Sequence, residues 1–359
     1  MSPMKVLILA PSFGAFGGIE AFSCALAREF FRHSDVETTL CFKLTKNCVK
    51  EEHLERIARE TGARVVFVDR ASIGLAKVIR NADVVHCQYP SIDVALLCLL
   101  FRKPLALTTH NYYEPGVEFR KMLRDLSFRI ADRHWYNSDF VWKTWEPYGR
   151  LPHSEKLPVI SNLPTGILPI SERKGFAFVA RWIANKGIEV LVEAYTKADI
   201  DHEKWPLVLM GSGPLRERIE KKIRDENLRG IEIKGLVDET TRNHYIRHAR
   251  WMVAPSNTKE GLGLTPIEGR NVGVPCIITR DGALPEAGGR HALICEPENM
   301  AELKALLEKA AGMKDDEYVK LCEATHKELL EYLQPLSTYL LRYRDMLSPH
   351  KKALFSENR

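Results

Sequence analysis

No Cys-x-x-Cys pair occurs among the eight cysteines of this 359-residue sequence. Cys24, Cys41, Cys48, Cys87, Cys98, Cys276, Cys295 and Cys322 fall mostly in apolar runs. That argues against a disulfide framework or a zinc site and for buried free thiols in a reducing compartment. No apolar run approaches the ~20 residues that span a bilayer; the longest extends only from Val94 to Phe101. Met1 to Lys5 lead directly into a strand-like run with no signal-peptide pattern, so a cytoplasmic chain without a membrane span is expected. The glycine turn Gly14-Ala15-Phe16-Gly17-Gly18 is not G-x-G-x-x-G, which leaves dinucleotide binding poorly supported. No Asp-x-Asp pair stands at the end of a predicted strand, so a metal-assisted scheme lacks ligands, and no cofactor or metal site is expected. Short-period repeats and low-complexity segments are missing too. Charge of one sign is not in large excess: the net charge is +5. That is too little to argue for nucleic acid, but it suits a phosphate-bearing ligand or a loose association with an anionic membrane.

What is present is an ordinary globular composition, 45% hydrophobic and 28% charged, which gives each half of the chain a core of normal size. At roughly 150 residues per domain, two domains are expected. Lys5–Ala10 reads as a buried parallel strand, followed by the glycine-rich turn Phe13–Gly18 and a helical stretch Ile19–Phe31. Further strand-like runs fall at Thr38–Phe42, Arg64–Val68, Asp83–His86 and Leu105–Thr108, with helical stretches between them. Pro158, Pro164 and Pro169 interrupt the segment Leu157–Pro169, where a domain boundary is placed. The alternation then restarts with strands at Phe176–Ala180, Pro206–Met210, Ile231–Lys234, Trp251–Ala254, Pro275–Thr279 and Ala292–Cys295, and a helix over Gly187–Lys197. Each half predicts a parallel α/β sheet. The boundaries are residues 1–160 for an N-terminal acceptor domain, 170–335 for a C-terminal donor domain, and 336–359 for a terminal helix returning towards the first domain. Two such sheets in tandem offer a crevice lined by strand carboxyl ends.

The most specific segment is Lys259 to Gly273, K-E-G-L-G-L-T-P-I-E-G-R-N-V-G. Pro266 suits a helix's first turn, so a helix is predicted to begin near Thr265, with Glu268 in its first turn or so and Glu260 in the loop before it. The free N–H groups at such a start, at Leu264 and Thr265, favour a diphosphate. The flanking carboxylates of Glu260 and Glu268 suit hydroxyls on a sugar and on a ribose. Taken singly, each glutamate could equally be a solvated loop residue or an ordinary helix-start residue. Arg181 follows a predicted strand and Lys186 precedes a helix; together they can neutralise a leaving diphosphate, although surface ion pairing would use the same residues.

E-G-L-G-L-T-P-I-E resembles the E-x7-E motif of retaining GT-B glycosyltransferases, the family 4 group (glycosyl transferases group 1). The resemblance extends along the chain. P-S-F-G-A-F-G-G-I-E is similar to the family's glycine loop, which implies Gly17 and Gly18 near the donor phosphate. A-R-W-I-A-N-K-G resembles its Arg…Lys-Gly segment (Arg181, Lys186), M-G-S-G-P its strand-ending turn, and D-G-A-L-P-E its loop after the motif. His110 matches the family's strand-end histidine, which contacts the transferred sugar. The resemblance implies an α/β, GT-B fold of two Rossmann-like domains with a cleft between them. It also implies hexose transfer with retention and without an essential metal, from a nucleoside-diphosphate sugar (GDP-mannose or a UDP-sugar) to a glycan or lipid-linked acceptor. The expected catalytic residues are His110, Glu260, Arg181 and Lys186. The expected donor-binding residues are Gly17, Gly18, Arg181, Lys186, Gly261, Leu262, Gly263, Leu264, Thr265 and Glu268. The sequence departs from the family where Gly269, Arg270 and Asn271 follow Glu268, and where Leu262 stands in place of a frequent aromatic.

Two rivals stay open: an epimerase or hydrolase acting on nucleotide sugars with the same scaffold, and a non-catalytic sugar-nucleotide-binding protein. His86, closing A-D-V-V-H, is expected to face the crevice like His110, unless either is a hydrogen-bonded structural histidine. Tyr112–Leu126 mixes Arg120, Lys121 and Arg124 with Phe119, Met122, Leu123 and Leu126. It predicts a basic amphipathic helix, packed on its own domain or lying peripherally on a membrane.

Overall fold

The computed structural model of the protein describes residues 2–12, 17–44, 52–157, 160 and 163–348. The chain divides into two compact units, Met1–Ser161 with Gln334–Arg359, and Asn162–Leu333.

Seven strands build the sheet of the first unit: β1 (Met4–Ser12), β2 (Val36–Leu44), β3 (Arg64–Asp69), β4 (Val84–Cys87), β5 (Leu105–Thr109), β6 (Arg133–Tyr136) and β7 (Ser154–Lys156). All pair in parallel, in the order β3-β2-β1-β4-β5-β6-β7. The order reverses direction at β1, beside β4, which is the switch point of a doubly wound sheet. Helices cover both faces, so strands such as V-L-I-L-A in β1 are buried on each side and read as continuous apolar runs. Leu7, Leu9, Val85 and Leu107 pack on one face with Leu75, Ile79 and Val94. The helices Gly18–Phe31 and Ser337–Leu347 pack together, and the latter also meets β4. It brings Tyr339, Tyr343 and Met346 into burial in this unit.

Six strands form the second sheet: β8 (Phe176–Val179), β9 (Leu207–Met210), β10 (Ile231–Gly235), β11 (Trp251–Ala254), β12 (Cys276–Thr279) and β13 (Leu293–Cys295). They too are parallel, in the order β10-β9-β8-β11-β12-β13, with the switch point between β8 and β11. One core holds Phe176, Trp182, Leu191, Leu209 and Trp251; the opposite face holds Met210, Ile246, Met252, Val272 and Ile278.

Three expectations are corrected. β6 and β7 are additional strands, hidden in the sequence because R-H-W-Y and S-E-K carry no aliphatic run. The basic helix spans Phe119–Ile130, not Tyr112–Leu126, with Glu118 as its N-cap. Pro115 disfavours helical backbone in the residue before it, and Gly116 is a weak helix former, so the helix starts after both. His86 does not face a crevice: it is fully buried. Cys24, Cys41, Cys87, Cys98, Cys276, Cys295 and Cys322 are buried free thiols, while Cys48 lies outside the described residues. Among the described residues no helix is long and apolar enough to cross a membrane.

Candidate active site

In the second unit the loops leaving β8, β9, β11 and β12 interlock by backbone contacts, and glycines make this possible. Trp182 and Ser212 join the first two loops, with Trp182 N–H donating to the Ser212 carbonyl at 2.9 Å. Asn257 N–H donates to the Asn185 carbonyl at 3.0 Å, tying the β8 loop to the β11 loop. Gly187 sits at that seam with φ +72°, and a Cβ on it would come within 2.0 Å of the Pro255 carbonyl oxygen. Only glycine tolerates both conditions.

This seam carries Lys186 to Glu260. The Lys186 ammonium pairs with Glu260 Oε1, and Ser256 Oγ donates to the same oxygen at 3.3 Å. Both ionic side chains are about four-fifths covered, so neither is an ordinary surface charge. Burial and the nearby Arg181 guanidinium pull the Lys186 ammonium down to about 8. Asp281 opposes this, as does the Glu260 carboxylate in contact, which favours the charged form. Arg181 itself is exposed. Asp281 accepts the N–H groups of Lys259 at 2.9 Å and of Glu260 at 3.2 Å, while Ala283 N–H donates to the Glu260 carbonyl at 2.8 Å. Gly282 lies against this backbone: a Cβ there would stand 2.4 Å from the Glu260 carbonyl oxygen. The D-G-A segment therefore clamps the glutamate's loop from behind.

Gly261, Leu262 and Gly263 lead into the helix Leu264–Asn271, whose N-cap is Gly263 in the left-handed conformation, φ +82°. The helix starts one residue earlier than expected. Leu264 and Thr265 occupy its first two positions, where N–H groups have no intrahelical acceptor. Thr265 Oγ1 donates to the Val179 carbonyl at 3.2 Å, which places the helix start beside the end of β8, at the sheet's switch point. Glu268 is the fifth helical residue, 6% exposed, and pairs with Arg242 at 3.2 Å. Burial pushes its carboxyl up to about 7, opposed by Arg242 and aided by Glu239. Lys186, Glu260 and the helix start thus come together on the loops, while Glu268 is buried further along the helix against Arg242.

In the first unit, Gly17 is the N-cap of the helix Gly18–Phe31, and its N–H donates to Glu20 Oε2 at 3.1 Å. In this arrangement the Gly17 N–H is already taken by a carboxylate of the chain itself. Residues 13–16 of that loop lie outside the described residues. His86 bonds to Tyr343 Oη at 2.7 Å and Thr108 Oγ1 at 2.6 Å, and burial holds it neutral. His110, 8% exposed at the end of β5, lies 3.0 Å through Nε2 from Gln88 Oε1. Since an amide oxygen only accepts, Nε2 carries the proton and Nδ1 presents a lone pair. Burial pulls His110 down to about 4.

Sequence reasoning missed Gln88, Ser256, Asp281 and Arg242. Asp281 was part of a quoted loop without a role, and Ser256 follows a strand end. Nothing in the pattern around Arg242 links it to Glu268.

Residues 166–328, which hold all these second-unit loops, match the family described as Glycosyl transferases group 1. An uncharacterized glycosyltransferase of Methanocaldococcus jannaschii is 31% identical over 129 residues, a match spanning 35% of each chain. A 2-deoxystreptamine N-acetyl-D-glucosaminyltransferase of Niallia circulans is 25% identical over 304 residues, covering 72% of this chain and 76% of that one. The similarity to glycosyl transferases group 1 is thus carried by the second unit. The fold is GT-B, as in Anabaena HepE in complex with UDP and glucose, which is 14% identical with a TM-score of 0.76 over 96% of this chain and 100% of that one. Against the group 1 pattern, the three residues after Glu268 have packing roles here. A Cβ on Gly269 would meet Met252 Cγ at 2.4 Å. Arg270 is buried, with Nη1 donating to the Ala287 carbonyl at 2.6 Å and Nη2 pairing with Glu328 at 3.2 Å. Asn271 Nδ2 donates to the Pro164 carbonyl at 2.8 Å. They anchor the helix that carries Glu268 and touch no predicted ligand group.

Proposed function

We propose that this protein is a retaining, metal-independent hexosyltransferase. It takes a hexose from a nucleoside-diphosphate sugar, GDP-mannose or a UDP-sugar, to a glycan or lipid-linked acceptor in glycan assembly. The observation that carries the reading is the Lys186–Glu260 pair, held on the β8 and β11 loops beside the start of the helix Leu264–Asn271. A diphosphate arriving at that helix start competes for the Lys186 ammonium. The Glu260 carboxylate, so released, accepts hydrogen bonds from sugar hydroxyls, while Glu268 takes those of the ribose. Arg181 and Lys186 neutralise the charge that builds on the departing diphosphate, the role a metal plays elsewhere. His110 in the first unit is assigned to a sugar hydroxyl through its Nδ1 lone pair.

Transfer proceeds on one face of the sugar. The anomeric carbon's bond to the diphosphate oxygen breaks, the acceptor oxygen bonds to the same carbon from the same side, and the departing oxygen takes the acceptor's proton. No protein base is needed, and the gain comes from positioning and charge stabilisation. Proton NMR of the first-formed product from an α-linked donor tests this: an α-linked product is expected, and a β-linked one overturns the mechanism. Turnover of donor that proceeds equally without acceptor would favour an epimerase or hydrolase, and donor binding without turnover a sensor.

A further inference from the structure

Two helices of the first unit pack side by side, Ile92–Leu100 and Phe119–Ile130, and both leave large apolar side chains in solvent. Leu96, Leu99 and Leu100 lie on one face of the first helix, and Leu100 is 70% exposed. Phe119, Met122 and Leu126 form a stripe on the second, with Phe119 73% exposed, and Val117 stands free just before it. Soluble surfaces scatter such residues singly, whereas a concentration on two adjacent helices marks an interaction surface. Cations outnumber carboxylates around it: exposed Glu118 pairs with Lys121 at 3.4 Å, and Glu114 accepts the Tyr112 hydroxyl at 2.8 Å. Arg102, Arg120 and Arg129 are exposed and have no carboxylate partner among the described residues. Arg129 follows Leu126 by three positions, on the same stripe. The carboxylates of these helices are already taken: Asp93 by buried Lys43 at 2.8 Å, and Asp125 by Arg124 at 2.8 Å.

We propose that this face docks on an anionic lipid surface, with the leucines, Phe119 and Met122 entering the interface and the arginines meeting the headgroups. Apolar side chains ringed by cations are the chemistry of interfacial helices on anionic bilayers. A second copy of the chain would set the same unpaired cations against one another, which disfavours self-association. The proposal stands apart from the transferase reading, because it uses no residue assigned to donor or sugar.

Sedimentation of the full chain with phosphatidylcholine vesicles, plain or carrying phosphatidylglycerol, tests it. Partitioning onto the anionic vesicles is expected to exceed that onto the neutral ones by about tenfold or more in dilute salt and to fade as salt screens the arginines. The double variant Leu100→Ser, Met122→Ser should lose about tenfold or more on anionic vesicles. Arg120→Gln, Arg129→Gln should lose only the preference for anionic lipid. Leu100→Trp supplies a second readout, an added emission component that shifts to the blue on anionic vesicles. All four substituted positions are in solvent, and an unchanged thermal melt and circular dichroism spectrum verify folding. Wild-type protein that stays in the supernatant, or variants that partition as it does, overturn the proposal. So does light scattering that finds a dimer which the Leu100→Ser, Met122→Ser variant splits, since a second copy would then cover the face.

Discussion

The Arg242 guanidinium lies 3.2 Å from the Glu268 carboxylate, joining the helix Glu239–His248 to the helix Leu264–Asn271. One cation balances burial that would otherwise discharge the acid. The result is a carboxyl pushed up to about 7, poised to change charge near neutrality. A ligand that offers it hydroxyl donors favours the ionised form.

Nucleoside-diphosphate affinity should therefore rise as pH increases through about 7, with proton release on binding. Calorimetry in buffers of different ionisation enthalpy measures that release. Glu268→Gln should weaken binding about tenfold or more and flatten the pH dependence. Arg242→Gln should move the dependence to higher pH. Unchanged affinity in Glu268→Gln would sink the ribose assignment.

The same group fixes the sign of a stability effect. Its folded value lies above its unfolded one, so its contribution is fully present below about 4.5 and is lost as pH rises through about 7. His86 and His110 act oppositely, being pulled down by burial. Between about 4 and 6.5 the unfolded chain binds more protons at His110, so its contribution is lost as pH falls through that window. Denaturant midpoints of wild type and Glu268→Gln against pH should converge in acid and separate towards pH 7, with the variant the more stable there. Parallel curves would contradict the buried, raised carboxyl.

Arg181→Ala and Lys186→Ala should each cut turnover by about a hundredfold, as expected for a lost charge donor at the transition state. Turnover should decline as pH rises through about 8, where the Lys186 ammonium discharges. Lys186→Arg should erase that alkaline limb even at reduced activity, because guanidinium stays charged. Activity should survive EDTA; complete loss restored by metal would refute the cation scheme.

Gly187→Ala and Gly282→Ala test the clamp behind Glu260. Each places a Cβ within 2.4 Å of a carbonyl oxygen, at φ +72° and +53°. Both should destabilise by about 2 kcal/mol or more and raise donor KM, since the loop carrying Glu260 must shift. A neutral thermal melt for both would refute the clamp.

Gln88→Leu should lower turnover while leaving nucleoside-diphosphate affinity alone, since it strips the Nε2 acceptor from His110 in the first unit. Being held neutral, His110 should contribute no acid limb between pH 5 and 7. An acid limb in that range that disappears in His110→Ala would show a titrating base instead.

Much of the fold was legible because parallel strands buried on both faces are written as unbroken apolar runs, as in K-V-L-I-L-A and W-M-V-A. R-H-W-Y was not: β6 is buried along its length, yet all four of its side chains carry polar atoms, and only neighbouring rings and hydrogen bonds make it a core strand. The candidate site was legible at Glu260 and Glu268 because a helix start, a proline and two carboxylates occupy a short window. Their partners were not. Arg242 meets Glu268 from another helix, and Lys186 meets Glu260 across 74 residues of chain. Such pairings are set by the order of strands in the sheet, which local patterns do not encode. Glu20 capping Gly17 was likewise invisible as a competitor for the glycine loop's N–H.

The helix Ser337–Leu347 belongs to the unit that the chain begins. Its Tyr343 closes over His86, and its Tyr339 stacks on the same ring at 5.6 Å. On the ribosome this has an order-of-events consequence. The segment 162–333 is contiguous and can complete its core while translation continues, whereas the earlier-made sheet waits, its β4 flank bare, for the helix Ser337–Leu347 to emerge. The half synthesised first is finished last, and a message cut short before Ser337 yields one sealed half and one with an open aromatic socket.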